Sequence, residues 1–174
     1  MSDAWKPYVD AYIVNYVEAS GKTYFTSCEH GAIVSNTDGL VWGSTPGFSF
    51  RKGNVEISKD DGTTAAVHVD EFANLLNAFA NNGNCTAVGG LRINGEKFFM
   101  TSFDGEKNLM YLKKNGGGAC IAKTVQSFCI GVYNTSKKSI VQHVDQSVTE
   151  QVQSVGVVNA SIEKLQEVLL EVSY

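Results

Sequence analysis

The first twenty residues carry a clear helical pattern. Apolar side chains recur there at intervals of three and four, at Trp5, Tyr8, Val9, Tyr12, Ile13, Tyr16 and Val17. This spacing places them on one face and predicts an amphipathic helix packed against a core. Pro7 has to lie in the first helical turn, because deeper in the helix it would remove a backbone hydrogen bond. Trp5 therefore lies either just before the helix or in an irregular first turn.

Short apolar runs separated by Asp-Gly turns follow this helix. Asp38-Gly39 and Asp61-Gly62 each stand between two such runs, which is typical of β-hairpins. The predicted strands are Ala32–Ser35 with Leu40–Ser44, and Val55–Ser58 with Thr63–Val69.

A second helix is predicted directly after the second hairpin. Asp70 is a suitable N-cap, and Asn81-Asn82-Gly83 provides a C-terminal stop. The apolar stripe of this helix consists of Phe72, Leu75, Leu76 and Phe79.

The second half of the chain is dominated by β-type patterns. Strands are predicted at Val88–Ile93, Lys97–Phe103, Asn108–Lys113, Ala119–Thr124, Phe128–Tyr133 and Ser139–Val144. The links between them are too short for parallel crossovers, so neighbouring strands should be antiparallel.

Two segments near the C-terminus carry helical signals of different strength. Asp145–Val155 has valines at helical spacing and predicts a helix weakly, since β-branched residues disfavour helices. Ser161–Val172 is clearly amphipathic, with Ile162, Leu165 and Leu169 on its apolar side. Together the patterns predict one α+β domain, in which helices pack on the faces of an antiparallel sheet.

Composition narrows the class of protein. The formal net charge is −4 and no apolar run approaches the length of a membrane span, so broad nucleic-acid binding and a transmembrane segment are disfavoured. The N-terminus lacks the pattern of a signal peptide. We therefore expect a soluble, cytoplasmic protein that binds no nucleic acid.

Motifs for catalysis are missing from the sequence. No Walker A, GxSxG or HExxH motif occurs, and the triglycine at Gly116–Gly118 is typical of a hairpin turn because a strand follows it. The four cysteines form no CxxC pair and the three histidines no HxxxH pair, so we expect no metal and no cofactor. Residue chemistry favours a binding module over an enzyme.

Large aromatic side chains stand at both ends of the chain and in one of the first strands. They are Trp5, Tyr8, Trp42 and Tyr174. The simplest interpretation is that these rings pack in the core. The functional alternative is an aromatic groove that clamps polyproline, in which Trp N–H and Tyr O–H groups donate to ligand carbonyls.

Several motifs in order resemble the profilin family. The opening Trp5–Asp10 is similar to its WxxYVD motif, and Asn94–Phe99 resembles its GGxKY strand entry. Lys113–Gly118 and the strands after it are similar to plant-type profilins without gaps. Asn159–Leu165 resembles the family motif NxxxEKL, and Ala32–Val34 with Val41-Trp42 resembles the first hairpin. The resemblance covers most of the chain.

The resemblance implies a central antiparallel sheet with the N- and C-terminal helices side by side on one face. It also implies a polyproline-binding set of Trp5, Tyr8, Trp42, Val168, Leu169 and Tyr174. Profilins carry an aromatic residue or histidine where this chain has Val168, so weaker or differently tuned proline binding is expected.

The resemblance further implies that the chain binds monomeric actin, regulates polymerisation and nucleotide exchange, and joins actin to proline-rich, formin-like assembly factors. The actin-binding set carried over by position is Val88, Lys97, Phe99, Met100, Lys114, Lys123 and Asn159. Animal profilins have arginines where this chain has Ser102 and Leu112, so phosphoinositides are expected to be weak partners at most. The implied protein is a cytoskeletal, non-enzymatic monomer.

Two segments have no counterpart in the resemblance. They are an apparent extra hairpin at 51–68 and a longer insertion at 134–158, within one domain spanning 1–174. The second could modify the actin surface or be neutral, because long surface insertions cost little. An alternative to a profilin is a roadblock- or longin-like scaffold domain of small-GTPase machinery, which would share the architecture and lack the aromatic groove.

Overall fold

The N-terminal helix is interrupted after one turn. The computed structural model describes residues 3–174, so the first two residues of the predicted domain lie outside it. Helix α1 spans Lys6–Val9, with Pro7 in its first turn, and Trp5 stands directly before it. The chain continues as a π-helical turn over Asp10–Val14.

The predicted helix was too long at its C-terminal end. Strand β1, Asn15–Val17, replaces its last turn and pairs antiparallel with β2, Thr23–Phe25. The Tyr16 ring stacks on Tyr24 with ring centroids 6.2 Å apart. The helical spacing of Tyr16 and Val17 was misleading, because pairing across the turn outweighs local periodicity.

The remaining elements follow the predicted order of strands and helices as far as Gln142. They are β3 (His30–Ser35), β4 (Val41–Ser44), β5 (Lys52–Ser58), β6 (Thr64–Asp70), α2 (Glu71–Ala80), β7 (Leu91–Ile93), β8 (Glu96–Asp104), β9 (Leu109–Lys114), β10 (Gly117–Lys123), β11 (Ser127–Asn134), β12 (Lys138–Gln142), β13 (Val148–Val152) and α3 (Val155–Glu171). Both Asp-Gly hairpins are present, as β3–β4 and β5–β6.

A seven-stranded antiparallel sheet forms the centre of the fold, in the order β4-β3-β11-β10-β9-β8-β7. Its two faces carry separate cores. Cys120 and Ala122 of β10 pack in the core that includes α1 and α3, whereas Ala119 and Ile121 pack in the core under α2. The predicted α+β class is confirmed, with N- and C-terminal helices on one face of the sheet and α2 on the other.

The expected helix over Asp145–Val155 is wrong. Residues Val148–Val152 form β13, which pairs with β12 so that Ile140 lies opposite Glu150. With β1 and β2 these strands make a four-stranded sheet, in the order β1-β2-β12-β13. The β-branched residues of this segment fit a strand better than a helix. Helix α3 begins at Val155, earlier than the predicted Ser161.

The N-cap of α2 gives a first test of the fold. The Asp70 side chain accepts a hydrogen bond of 3.0 Å from the Ala73 N–H, and this bond lowers the pKa of Asp70. We expect Asp70→Ala to reduce the free energy of unfolding by about 1 kcal/mol near neutral pH. A lowered carboxyl pKa stabilises the fold above its unfolded-state value and loses that effect as the pH falls through the folded value.

Urea denaturation of both proteins at neutral and acidic pH measures this effect. The difference between wild type and Asp70→Ala should shrink once the pH falls below the ordinary carboxyl pKa of 3.8. An equal unfolding midpoint for the two proteins at neutral pH would contradict the cap.

Candidate functional site

Four aromatic rings from distant parts of the chain meet at one end of the helix-covered face. Trp5 stacks on Trp42 with ring centroids 4.8 Å apart and an interplanar angle of 26°. Tyr8 lies 5.6 Å from Trp5, and Tyr174 meets Trp5 edge-on at 5.2 Å. We call Trp5, Tyr8, Trp42 and Tyr174 the aromatic cluster. Trp5 contacts each of the other three rings.

The backbone of the C-terminus holds Tyr174 in this cluster. Its N–H donates to the Leu169 carbonyl at 2.9 Å, and its own carbonyl accepts from the Val125 N–H at 3.0 Å. Ser173 adopts a positive φ of 63°, which turns the chain back after α3. The last ring is therefore placed by main-chain hydrogen bonds at the end of the helix.

The cluster is partly open to solvent. Trp5, Tyr8 and Trp42 are half-buried and Tyr174 is 41% exposed. Within residues 3–174, none of their ring N–H or O–H groups donates a hydrogen bond, so these donors are free for a ligand. The other two residues of the predicted proline-binding set differ: Leu169 is fully buried beneath the rings and Val168 is half-buried beside it.

Candidate actin-binding residues line the far edge of the same sheet. The Phe99 ring is 64% exposed and lies opposite Lys113 in the β8–β9 pairing. The Lys97 ammonium lies 5.4 Å from the centre of this ring. We call Lys97, Phe99 and Lys113 the β8–β9 strip. Met100 lies beside it, and the exposed Val88 precedes β7.

Lys114 does not belong to this strip. Neighbouring residues of a strand point to opposite faces, so Lys114 points away from the face that presents Lys113 and Phe99. Its ammonium is buried and pairs with Glu96 at 2.6 Å and with Glu29 at 3.4 Å. It also lies 5.7 Å from the centre of the Phe98 ring. Lys113 is the exposed lysine of the pair.

Asn159 lies in a cavity of 430 Å³ between α3 and the sheet. Lys113, Thr101 and Val155 share this cavity. The Oδ1 atom of Asn159 is buried and accepts no hydrogen bond from the described residues. An unpartnered acceptor of this kind is costly unless a ligand or water satisfies it.

A tyrosine beside this cavity joins α3 to the sheet. The Tyr111 hydroxyl donates to Glu163 of α3 at 2.6 Å. Burial and the neighbouring Glu163 carboxylate raise the pKa of Tyr111. The hydroxyl therefore remains a protonated donor throughout the physiological range, and its bond fixes the middle of α3 over β9.

Lys123 lies apart from the other candidates. It is the last residue of β10, whereas Gly117, the first residue of the same strand, lines the Asn159 cavity. Six residues of extended strand correspond to about 20 Å. The structure thus brings Lys97, Phe99 and Asn159 to one side of the sheet and places Lys123 at its other end.

One cluster in the described part of the chain has the composition of a metal site. Ligand atoms of Glu29, His30 and Glu96 lie within 4.8 Å of one another. The Lys114 ammonium already occupies this cluster and supplies its positive charge. These residues therefore form an ion-pair network in the described structure.

The buried cysteines are poor nucleophiles. Burial raises the pKa of Cys28 and Cys129 to about 12. Since the thiolate is the reactive form, both side chains stay as inert thiols near neutral pH.

Comparison with known proteins shows the family. The family model for Profilin matches residues 3–174. The chain belongs to the profilin family. It is 35% identical over 147 residues to a profilin of Tetrahymena pyriformis, covering 84% of this chain and 89% of that one. It is 28% identical to profilin-3 of Dictyostelium discoideum, covering 76% and 81%.

Solved profilin structures share the fold. Profilin IA of Acanthamoeba castellanii matches with a TM-score of 0.61 at 22% identity, covering 98% of this chain and 99% of that one. The profilin of Schizosaccharomyces pombe gives the same TM-score at 19% identity, with the same coverage. The curled antiparallel sheet with terminal helices on one face is thus the profilin fold.

Membership of the family confirms the coarse function. Profilins are actin-binding, cytoskeletal, non-enzymatic proteins. The alternative of a roadblock- or longin-like scaffold receives no support from these comparisons. Among the described residues, none of the helices is long and apolar enough to cross a membrane.

Lys113 is a candidate actin-binding residue that was not predicted from the sequence. The two adjacent lysines look equivalent in the sequence, and position matching selected Lys114. The alternation of side chains along a strand distinguishes the two lysines. Leu112 packs under α2, so the next residue, Lys113, faces the side of the sheet that carries α3.

Proposed function

We propose that this profilin binds monomeric actin and proline-rich assembly factors at two separate surfaces. The aromatic cluster would hold a formin-like proline-rich segment, while the β8–β9 strip and Asn159 would meet actin. The protein would act in the cytoplasm as a single profilin domain, with insertions at 51–68 and 134–158. It would bring actin monomers to the machinery that assembles filaments.

The aromatic cluster is the observation that carries the proline-binding half. A polyproline II helix has no internal hydrogen bonds, so its carbonyls need donors from the groove. The two tryptophans and two tyrosines combine flat apolar faces with N–H and O–H donors that no described residue engages. Val168 adds apolar contact and no donor, which favours a modest affinity.

Three features support actin binding at the β8–β9 strip. Phe99 supplies an exposed aromatic anchor and Lys97 and Lys113 surround it with positive charge. A buried, unpartnered Asn159 acceptor lies next to Lys113 in the same cavity. Such an arrangement fits a partner with an acidic rim, because complementary charge steers the encounter and fixes its register.

Regulation of actin would need no covalent chemistry. A partner that binds the open form of the actin nucleotide cleft better than the closed form shifts the population toward the open form. Faster nucleotide exchange and a change in polymerisation would follow from this difference in affinity alone.

The proposed insertion at 134–158 has both of its ends near the Asn159 cavity. Gln153 joins these ends to each other and to the loop before β3: its Oε1 accepts from the Asn134 N–H at 3.0 Å, and its Nε2 donates to the Thr26 carbonyl at 3.1 Å. Val155, where α3 begins, and Thr135 both line the Asn159 cavity. Residues at the two ends of the insertion would therefore contribute to the actin contact.

Titration with monomeric actin tests this assignment. We expect Lys113→Glu to weaken actin binding about tenfold, because a charge reversal sets like charge against an acidic partner. Lys107→Glu, an exposed charge reversal in the β8–β9 turn, is the matched control and should leave the affinity unchanged.

Two results would count against the proposal. One is the absence of wild-type binding at actin concentrations up to ~100 µM. The other is an equal loss of affinity in both variants, which would point to general electrostatic attraction in place of a defined surface.

A further inference from the structure

Strand β13 forms a free edge of the four-stranded sheet. The order of this sheet is β1-β2-β12-β13, and among the described residues β13 pairs with β12 alone. The strand belongs to the proposed insertion at 134–158. The proposed function does not use its free edge.

The main-chain hydrogen bonds at the two ends of the β12–β13 hairpin show which residues point outward. The Gln153 N–H donates to the Lys137 carbonyl at 2.8 Å, and the His143 N–H donates to the Ser147 carbonyl at 2.8 Å. Hydrogen-bonded and non-hydrogen-bonded pairs alternate along an antiparallel ladder. The odd-numbered residues of β13 therefore bond to β12, and the even-numbered residues direct their N–H and C=O groups to the free edge.

These outward residues are Val148, Glu150 and Val152. Within residues 3–174, no hydrogen bond outside the ladder engages their main-chain groups. Their side chains lie together on the exposed face of the sheet, where Val148 is 62% and Val152 50% exposed. A further strand at this edge would meet a row of one apolar, one acidic and one apolar side chain.

The edge lacks the features that commonly protect a free strand. Natural sheet edges are often shielded by proline, by lysine or by a bulge. The chain has two prolines, Pro7 and Pro46, and both lie outside this sheet. Residues Val148–Val152 include no lysine, and their register with β12 runs without a shift. The edge is therefore open to strand addition, in which main-chain bonds supply affinity and alternate side chains supply specificity.

The charge of Glu150 selects against a second copy of this chain at the edge. In a symmetric antiparallel pair centred on Glu150, the valines would face each other favourably, but the two Glu150 carboxylates would also lie directly opposite. Like charges opposite each other on paired strands are destabilising. A register shifted by two residues would place Glu150 against a valine and lose the contact between valines.

Glu150 retains the capacity to bind a basic residue. Its Oε2 accepts from the Lys138 ammonium at 3.0 Å, and its Oε1 accepts from no described residue. The Lys138 and Glu150 side chains are 67% and 61% exposed, so solvent screens this pair and leaves it weak. Ile140, directly opposite Glu150 in the ladder, is 48% exposed and offers apolar contact to the stem of a long side chain.

We propose that the free edge of β13 binds an extended segment of a partner protein in which a basic residue alternates with apolar residues on one face. The basic residue lies opposite Glu150, and the apolar residues two positions to either side lie opposite Val148 and Val152. The site is separate from the aromatic cluster and from the β8–β9 strip. It gives the insertion a binding role of its own.

Fluorescence anisotropy with a labelled Thr-Val-Thr-Arg-Thr-Val-Thr peptide at low ionic strength tests this edge. We expect saturable binding by the wild type, and about fivefold weaker binding when glutamate replaces the arginine of the peptide. Glu150→Lys should reverse this preference. Glu56→Lys, an exposed charge reversal in β5, is the matched control and should keep the wild-type preference.

Amide hydrogen exchange locates the bound peptide. Exchange should slow on binding at Val148, Glu150 and Val152, because their N–H groups face the edge, and should change little at Thr149 and Gln151, which already bond to β12. Glu150→Pro removes one outward donor without removing a bond to β12, and we expect it to weaken binding about tenfold. A thermal melt shows whether this variant folds, and Glu150→Lys reports on the site if it does not.

Three results would overturn the proposal. The first is no saturable binding of the arginine peptide by the wild type at concentrations up to ~1 mM. The second is an unchanged peptide preference in Glu150→Lys, or an equal reversal in Glu56→Lys, since net charge would then explain the interaction. The third is a wild-type dimer in sedimentation velocity that Glu150→Pro abolishes, because a second copy would then occupy the edge.

Discussion

Trp5→Ala should abolish most of the affinity of this profilin for proline-rich peptides. Trp5 is the one ring of the aromatic cluster that contacts the other three, at 4.8 to 5.6 Å. Its removal deletes a stacking face and an indole donor and loosens Trp42 and Tyr174 together. Central aromatic residues of an interface commonly contribute ~2 kcal/mol or more, which corresponds to about 30-fold in affinity.

Binding of a fluorescently labelled polyproline peptide, followed by anisotropy, measures this loss. Phe25→Ala is the control, because Phe25 is an exposed aromatic residue of the separate four-stranded sheet. Tyr174→Ala, at the exposed chain end, gives a second variant that should weaken binding without touching the core. If Trp5→Ala bound the peptide as the wild type does, the cluster would be packing only.

The local turn and cap signals of the sequence predicted most of the architecture correctly. The Asp-Gly hairpins, the Asp70 cap and the short links between later strands depend on local geometry, so they are visible in the sequence. The helix over Tyr16 and the helix over Val148–Val152 were wrong, because pairing of distant strands decided both segments.

The aromatic cluster was predictable only in part. The resemblance predicted that Trp5, Trp42 and Tyr174 lie together, and the structure confirms that their rings are in contact. Helical periodicity places Leu169 on the apolar side of α3 with Ile162 and Leu165, and it is fully buried beneath the rings. The main-chain hydrogen bonds that hold Tyr174 in the cluster, to Leu169 and from Val125, leave no pattern in the sequence.

The cavity at the base of the β5–β6 hairpin, which Arg51 and Arg92 line, was not predictable from the sequence. Arg51 and Arg92 are forty-one positions apart, and each looks like an ordinary surface charge. Their approach depends on Glu71, whose carboxylate joins two backbone N–H groups across the hairpin and the turn. A buried acid that binds main-chain donors leaves no recognisable motif.

Lys114→Met should destabilise the fold more than the substitutions at the exposed lysines Lys107, Lys113 and Lys138. The Lys114 ammonium is buried between Glu96 and Glu29, and its loss leaves two carboxylates facing each other. Breaking a fully buried pair costs about 3–5 kcal/mol. Since the Glu96 side chain is 42% exposed, solvent screens part of the effect, and we expect about 2–3 kcal/mol.

The loss in free energy of unfolding caused by Lys114→Met should depend on pH. Burial raises the pKa of Glu96, but hydrogen bonds from Lys114 and His30 outweigh this, and the net pKa is lowered. A lowered carboxyl pKa stabilises the fold above the unfolded-state value and loses that contribution as the pH falls through the folded value. The difference between wild type and Lys114→Met should therefore shrink as the pH falls below the ordinary glutamate value of 4.5.

Urea denaturation across this pH range measures the destabilisation by Lys114→Met and its pH dependence, with Lys138→Met as the control. Lys138 pairs with Glu150 at 3.0 Å, but both side chains are more than half exposed. An exposed pair of this kind contributes about 0–1 kcal/mol, so the control should change little. A cost for Lys114→Met no larger than that of the control would show that the buried pairs are energetically neutral. An unchanged cost in acid would show that Glu96 is not the group that titrates against Lys114.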